Sequence, residues 1–206
     1  MGWYTEQVLP HLIDRVCSSP GMDPAREAAG ALLTGEVVEI GFGSGANVGH
    51  YSADVTGVHA VEPSSRAWEL ATDRVRNSAV PITHTSLVGE QIGLPAASMD
   101  SALCTFTLCT VNDPDEVLAE LARVLRPGAS LVLVEHGLAP SKTMATAQRL
   151  LDPVEVRVAG GCHLTRDPVQ ILNDAGWDVD VLRQGYAMAR SPWSWLTTAV
   201  ATPPVN

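Results

Sequence analysis

Two carboxylates and three glycines carry most of the chemistry legible in this chain. Glu39 stands in the apolar run Val37-Val38-Glu39-Ile40, and Gly41-Phe42-Gly43-Ser44-Gly45 follows at once. Glycines at 41, 43 and 45 let the backbone turn sharply and pass close to a ligand, because no Cβ blocks positive φ. A second apolar run, Val58-His59-Ala60-Val61, ends in Glu62-Pro63. A carboxylate at the tip of a second strand is placed to accept hydrogen bonds from a ribose diol. The spacing is that of a nucleoside site.

Two cofactor classes compete for such a site. The nicotinamide fingerprint is G-x-G-x-x-G, with its helix N-terminus aimed at a pyrophosphate. This chain reads G-x-G-x-G, with Ala46 in place of that fingerprint's third glycine. Alanine is tolerated there, so the loop alone does not decide. Glu39 does: a carboxylate just ahead of the turn would repel a pyrophosphate, but it suits a ligand that carries an ammonium group. S-adenosylmethionine has a ribose, an α-amino group and a sulfonium. No Tyr-x-x-x-Lys dyad supports hydride chemistry.

The bulk properties narrow the partners. The chain has 206 residues, 46% apolar and 17% charged, which predicts one globular domain with a full core. Thirteen basic against 23 acidic residues leave a net charge of −10, which argues against a nucleic-acid partner and against an anionic membrane. No segment reads as a transmembrane helix or a signal peptide, so no membrane anchor and a cytoplasmic address are expected. Cys17, Cys104, Cys109 and Cys162 are scattered without a C-x-x-C pair. With no sequence cluster of His, Cys or carboxylates, no metal is expected. His11, His50, His59 and His84 share no ligand spacing and read as surface or satisfied core residues.

The elements that must position these residues alternate along the chain. Helices are predicted over 3–16, interrupted at Pro10, and over 23–33. Strands are predicted at 36–41, 56–62, 81–86, 99–106 and 130–135. Further helices are predicted at 64–78, capped by Ser64, and at 114–125, 143–157 and 167–175. Closing strands are read at 178–184 and about 186–190, with Trp193 and Trp195 covering the core. The alternation predicts an α/β fold: one mostly parallel, seven-stranded, Rossmann-like sheet with helices on both faces. Residues 1–34 read as an N-terminal helical cap and 35–206 as the cofactor-binding unit, together one compact domain. Gly41 to Gly45, Glu62, Thr107 to Thr110 and Glu135-His136 all fall at carboxyl ends of strands, where such sheets bind ligands.

Several blocks resemble the class I S-adenosylmethionine-dependent methyltransferases, in the branch of alkyl-thiol methyltransferases and their bacterial relatives. They are YTEQVLP at 4–10, GEVVEIGFGSGANVGHY at 35–51, AVEPS at 60–64, TFTLCTVNDP at 105–114, LARVLRPGASLVLVEHG at 121–137, QRLLDP at 148–153 and GGCHLTRD at 160–167. The resemblance implies a Rossmann-like methyltransferase fold and S-adenosylmethionine as cofactor, with S-adenosylhomocysteine as product. It implies that Glu39, Gly41, Gly43, Gly45, Glu62, Pro63, Glu90 and Thr107 hold that cofactor, with Glu90 beside the adenine. The acceptor side falls to Tyr4, Cys162, His163 and Arg166. Two departures stand out. The adenine-side segment reads Gly89-Glu90-Gln91-Ile92, and Val154-Glu155 stands where an aromatic often follows QRLLDP.

Methyl transfer from a sulfonium is an in-line displacement, in which much of the rate comes from holding the nucleophile within about 3–3.5 Å. A thiol acceptor already ionises near neutrality and needs no obligatory base. His136 at the tip of the fifth strand is the candidate base or acceptor-orienting group, against a structural histidine bonded to a carbonyl. Cys109 reads as an acceptor-side residue or as packing, and Arg166 as a pocket residue or a partner of Asp167. The expected activity is methyl transfer to a small molecule, with a thiol first. The alternatives are a small-molecule O-methyltransferase and a non-catalytic S-adenosylmethionine-binding protein. Oligomeric state is open between monomer and homodimer.

Overall fold

The computed structural model describes residues 2–86, 88–187 and 189–204, without the side chain of Ser86. A π-helical turn at Tyr4–Val8 leads into α1 (Leu9–Cys17), and α2 (Asp23–Gly30) follows. Then come β1 (Gly35–Ile40), β2 (Val55–Val61), α3 (Ser65–Arg76), β3 (Ile82–Ser86) and β4 (Met99–Thr105). The chain continues with α4 (Pro114–Val124), β5 (Leu125–His136), α5 (Lys142–Val158), α6 (Pro168–Asp174), β6 (Asp178–Tyr186) and β7 (Trp195–Thr202).

The seven strands form one sheet in the order β3-β2-β1-β4-β5-β7-β6. β1 pairs in parallel with both β2 and β4, so the topological switch lies between β1 and β4. The sheet is mixed, because β7 runs antiparallel to both β5 and β6. Strand alternation separates two cores. Val38, Ile40, Leu131 and Leu133 pack with Leu118 and Leu121 of α4 and Leu172 of α6. Val37, Leu103, Val132 and Val134 pack with Ala29 of α2 and Leu33 on the other face. Glu39 and His136 share the parity of that second face, and Glu135 that of the first.

Several boundaries have clear local causes. Ser64 accepts the Ala67 amide and starts α3. Asp113 and Asp167 each accept two amides at the starts of α4 and α6. Pro10 lies in the first turn of α1, where a missing amide costs nothing, so it does not interrupt the helix as expected. Leu12, Ile13 and Val16 of that helix are exposed, and its buried residues are Leu9 and Pro10.

The last strand corrects the sequence reading. β6 runs on through Tyr186, the described residues between 187 and 190 form no further strand, and β7 occupies 195–202. β7 is central rather than at an edge, and most of its residues are buried. A strand covered on both faces does not alternate, and Thr-Thr-Ala-Val-Ala-Thr lacks the bulky residues that advertise a strand. Trp193 is half-exposed and does not cover the core, whereas Trp195 opens β7 and meets Tyr186 edge-on at 5.1 Å. None of the described helices is long and apolar enough to cross a membrane.

Candidate active site

The glycine loop leaves the end of β1 with Gly41, Gly43 and Gly45 all at positive φ, +69°, +58° and +78°. They are not equivalent. A Cβ on Gly41 would collide with the Thr107 hydroxyl, because the loop rests on the turn after β4. A Cβ on Gly43 would meet no side chain; the nearest atom is the Gly41 carbonyl oxygen at 3.9 Å. The loop is therefore packed from below at Gly41 and open above Gly43.

Glu62 follows β2 and is nearly buried. Its Oε2 accepts the Gly43 amide at 2.6 Å and its Oε1 the Ser64 amide at 2.7 Å. One carboxylate thus ties the glycine loop to the entry of α3, and each oxygen keeps a second lone pair. Burial pushes the carboxyl upward against these two amides. Pro63 beside it is exposed.

Glu39 lies wholly inside the protein. It accepts from Asn47 Nδ2 at 2.8 Å and from the Tyr51 hydroxyl at 2.6 Å. Asn47 also donates to Thr105 and accepts from the buried Arg26, which reaches the Cys17 carbonyl and lies over the Phe106 ring. Burial pushes Glu39 up to about 7, despite these donors. Its carboxyl group thus ties β1 to Asn47 and Tyr51, downstream of the glycine loop. Arg26, Asn47 and Tyr51 were not singled out from sequence, since nothing local distinguishes a buried polar residue in a helix or loop from a surface one. Phe106, at φ +54°, was missed as well.

Glu135 and His136 end β5. Glu135 Oε1 accepts the Thr107 and Leu108 amides at 2.6 and 3.0 Å, and so shapes the turn after β4. Thr107 donates from its hydroxyl to the carbonyls of Ile40 and Thr105. Glu135 Oε2 and His136 Nδ1 are buried without a hydrogen-bond partner. No Glu135–His136 hydrogen bond forms among the described contacts, as opposite strand parity dictates.

The structure brings three sequence-distant candidates together. His136 Nε2 lies 2.9 Å from Cys162 Sγ, and Cys162 Sγ lies 3.9 Å from Cys109 Sγ. No spacing along the sequence links these three residues, yet in the fold their ligand atoms lie within 4.8 Å of one another. The hydrogen bond to Cys162, together with burial, holds the Cys109 thiol well above the ordinary range. For His136, burial favours the neutral ring, and Cys109, Glu135 and Glu155 favour the charged one. A sulfur held protonated offers no anion, so the upward pull on His136 rests on the two carboxylates.

The other candidates have separate duties. Arg166 donates to the carbonyls of Leu108 and Val111 at 2.7 and 2.8 Å and clamps the loop that carries Cys109. His163 donates its amide to the Cys109 carbonyl at 2.8 Å and pairs through its ring with Asp152 at 3.3 Å. Tyr4 donates its hydroxyl to the Val158 carbonyl at the end of α5 and is partly exposed. Glu90 follows Gly89, which packs on Ile40 at the end of β1. His84 is satisfied by the Glu62 carbonyl and stacks on Trp68. A cleft of about 670 Å³ lined by Leu138, Lys142, Arg149, Asp167, Gln184 and Trp195 contains none of these candidates.

Comparison with known proteins agrees with this geometry. A family model described as "Methyltransferase domain" matches residues 38–133. Thiol S-methyltransferase TMT1B of Rattus norvegicus is 35% identical over 135 residues, and its Homo sapiens counterpart 31% over 165. These alignments cover 64% and 78% of this chain and 55% and 65% of the relatives, so the chain spans little more than half to two thirds of their length. A solved S-adenosylmethionine-dependent methyltransferase from Thermotoga maritima superposes with a TM-score of 0.68 at 20% identity, covering 96% of both chains. A glycine loop at the switch point of this seven-stranded sheet and an acid after β2 thus occur in a chain that carries a methyltransferase-domain match over residues 38–133 and is similar in sequence and fold to S-adenosylmethionine-dependent methyltransferases.

Proposed function

We propose that the chain transfers a methyl group from S-adenosylmethionine to a small thiol. The observation that carries the cofactor site is the Glu62 carboxylate bonded to the amide of Gly43, directly under the open part of the glycine loop. The donor set fits the cofactor: free lone pairs on Glu62 suit a ribose diol, and the space above Gly43 is a cradle that a Cβ would fill. Gly41, Gly43 and Gly45 hold the methionine end, Glu39 ties the strand before them to Asn47 and Tyr51, and Glu90 and Pro63 border the nucleoside. Thr107 positions the loop from the β4 side. S-adenosylmethionine, when bound, supplies an electrophilic methyl group on a sulfonium.

The thiol reading is supported by the identity to thiol methyltransferases and by the sulfur-rich wall at Cys109 and Cys162. His136 orients the acceptor beside that wall. Residues 1–34 act as a cap. Asp14 accepts from Ser44 of the glycine loop at 2.5 Å, Arg74 bridges Asp14 to α3, and Tyr4 fastens the far end to α5. Such a cap excludes water from the reacting groups. Incubation with S-adenosylmethionine and a panel of alkyl thiols, phenols and amines, read by mass spectrometry, tests the acceptor. S-methyl products are expected, and methylation of phenols alone would replace the thiol reading.

The two glycines give a sharper test of the cradle. Gly41→Ala meets both a left-handed backbone and the Thr107 hydroxyl, and is expected to cost about 3 kcal/mol or more of stability. Gly43→Ala meets only the backbone term, about 1–2 kcal/mol, but fills the cradle. Thermal melts and S-adenosylhomocysteine titration should therefore separate them, with Gly43→Ala losing affinity out of proportion to stability. Unchanged affinity in folded Gly43→Ala would move the cofactor off this loop.

A further inference from the structure

We propose that Cys109, Cys162 and His136 form a three-ligand zinc site whose open fourth position takes the acceptor's sulfur. The acceptor part rests on the thiol reading above; the metal site does not. Three separate elements converge here: the turn after β4, the end of β5 and the loop after α5. Two thiolates about 2.3 Å from a tetrahedral zinc stand roughly 3.8 Å apart. The two sulfurs lie 3.9 Å apart. His136 Nε2 lies 2.9 Å from Cys162 Sγ and must move away by roughly half an ångström to fit such a tetrahedron. Cys162 is partly exposed, and its backbone is tied through its own amide to Ala159 and through that of His163 to Cys109, so the shift falls to its side chain. The opposite side is rigid, because the His163 amide and the Arg166 guanidinium hold the Cys109 loop.

The donor set selects the metal. Thiolate and imidazole favour soft or borderline ions over magnesium or calcium. Two thiolates, a neutral imidazole and Zn2+ sum to zero charge, which suits a cluster with two of its three side chains buried, whereas Cu+ would leave a buried negative charge. Structural zinc sites close with four protein ligands, and sites that bind an exchangeable group keep three. Among the described residues no fourth His, Cys, Asp or Glu joins this cluster. Cys109 lies two residues beyond Thr107, which rests against Gly41, so the cluster and the glycine loop share the turn after β4. An acceptor R–SH binding at the open position forms a sulfur–zinc bond and releases its proton to solvent.

Cobalt(II) titration of the full chain under anaerobic phosphine reductant is the direct test. One equivalent should bind with thiolate-to-cobalt charge-transfer bands and the intense visible bands of four-coordinate cobalt, and Zn2+ should displace it. Cys109→Ser, Cys162→Ser and His136→Ala should each weaken cobalt binding by about a hundredfold or more while retaining S-adenosylhomocysteine binding, which checks the fold. Cys17→Ser should bind cobalt as the parent does. Addition of 2-mercaptoethanol should shift the visible bands of the cobalt form. Absence of stoichiometric cobalt binding by the parent chain overturns the site, whatever the variants do. Cobalt binding without a response to thiol overturns the open position. Thiol methylation by a chain that binds no cobalt leaves the proposed function standing and removes only the metal; cobalt binding without thiol methylation does the reverse.

Discussion

Glu62→Ala is expected to weaken S-adenosylhomocysteine binding by at least about tenfold and to lower the melting temperature of the unliganded protein. The first effect follows from losing a charged acceptor for the ribose hydroxyls. The second follows from the contacts already made within the chain. The carboxylate accepts the amides of Gly43 and Ser64, and both lose their partner on truncation. An unpaired buried amide costs about 1–3 kcal/mol, so the loop and the first turn of α3 loosen together. Glu62→Gln is no conservative change here, because its amide nitrogen must face one of two backbone N–H donors. It should lose stability as alanine does while keeping part of the affinity. Isothermal titration and thermal melts decide the matter: a dissociation constant within twofold of the parent in Glu62→Ala would take Glu62 out of the cofactor site.

Glu39→Gln is expected to flatten the stability profile between about pH 4.5 and 7. Burial raises the folded-state pKa of Glu39 from the ordinary 4.5 to about 7. A raised carboxyl binds its proton more tightly in the folded than in the unfolded chain. Its contribution is therefore complete below about pH 4.5, falls as pH rises, and is lost once pH passes about 7. The rise corresponds to about 3 kcal/mol. Glutamine imitates the protonated acid: its oxygen can accept from Asn47 Nδ2 and its nitrogen can donate to the Tyr51 oxygen. Chemical denaturation of parent and variant from pH 4 to 8 isolates this residue, since other titrating groups cancel in the difference. Parallel profiles would show that Glu39 does not titrate in that window.

The helix starts at Ser64, Asp113 and Asp167 follow from capping, a local effect that sequence carries openly. β7 was misplaced because burial on both faces removes alternation and its small residues carry little strand signal. Glu62 was legible as a candidate site residue because its position is set by the strand it ends. Its second duty, locking Gly43, depends on a loop nineteen residues earlier in the chain. Glu39 was legible as a charge beside the turn, but the Arg26–Asn47–Tyr51 network that absorbs it joins three segments.

By itself the sequence determined the alternating α/β order, the glycine turn and the two acids, and hence the cofactor class, because these rest on local periodicity and on residues close in the chain. Only the tertiary structure decided which of the candidate acceptor-side residues meet. Cys109, His136 and Cys162 come from three elements and meet because β4 and β5 are neighbours in register and the loop after α5 folds back onto the Cys109 carbonyl. The bonds of Arg166 to the carbonyls of Leu108 and Val111 depend on the same folding back. Contacts between elements far apart in sequence follow from how sheets and helices pack, and no spacing along the chain encodes them.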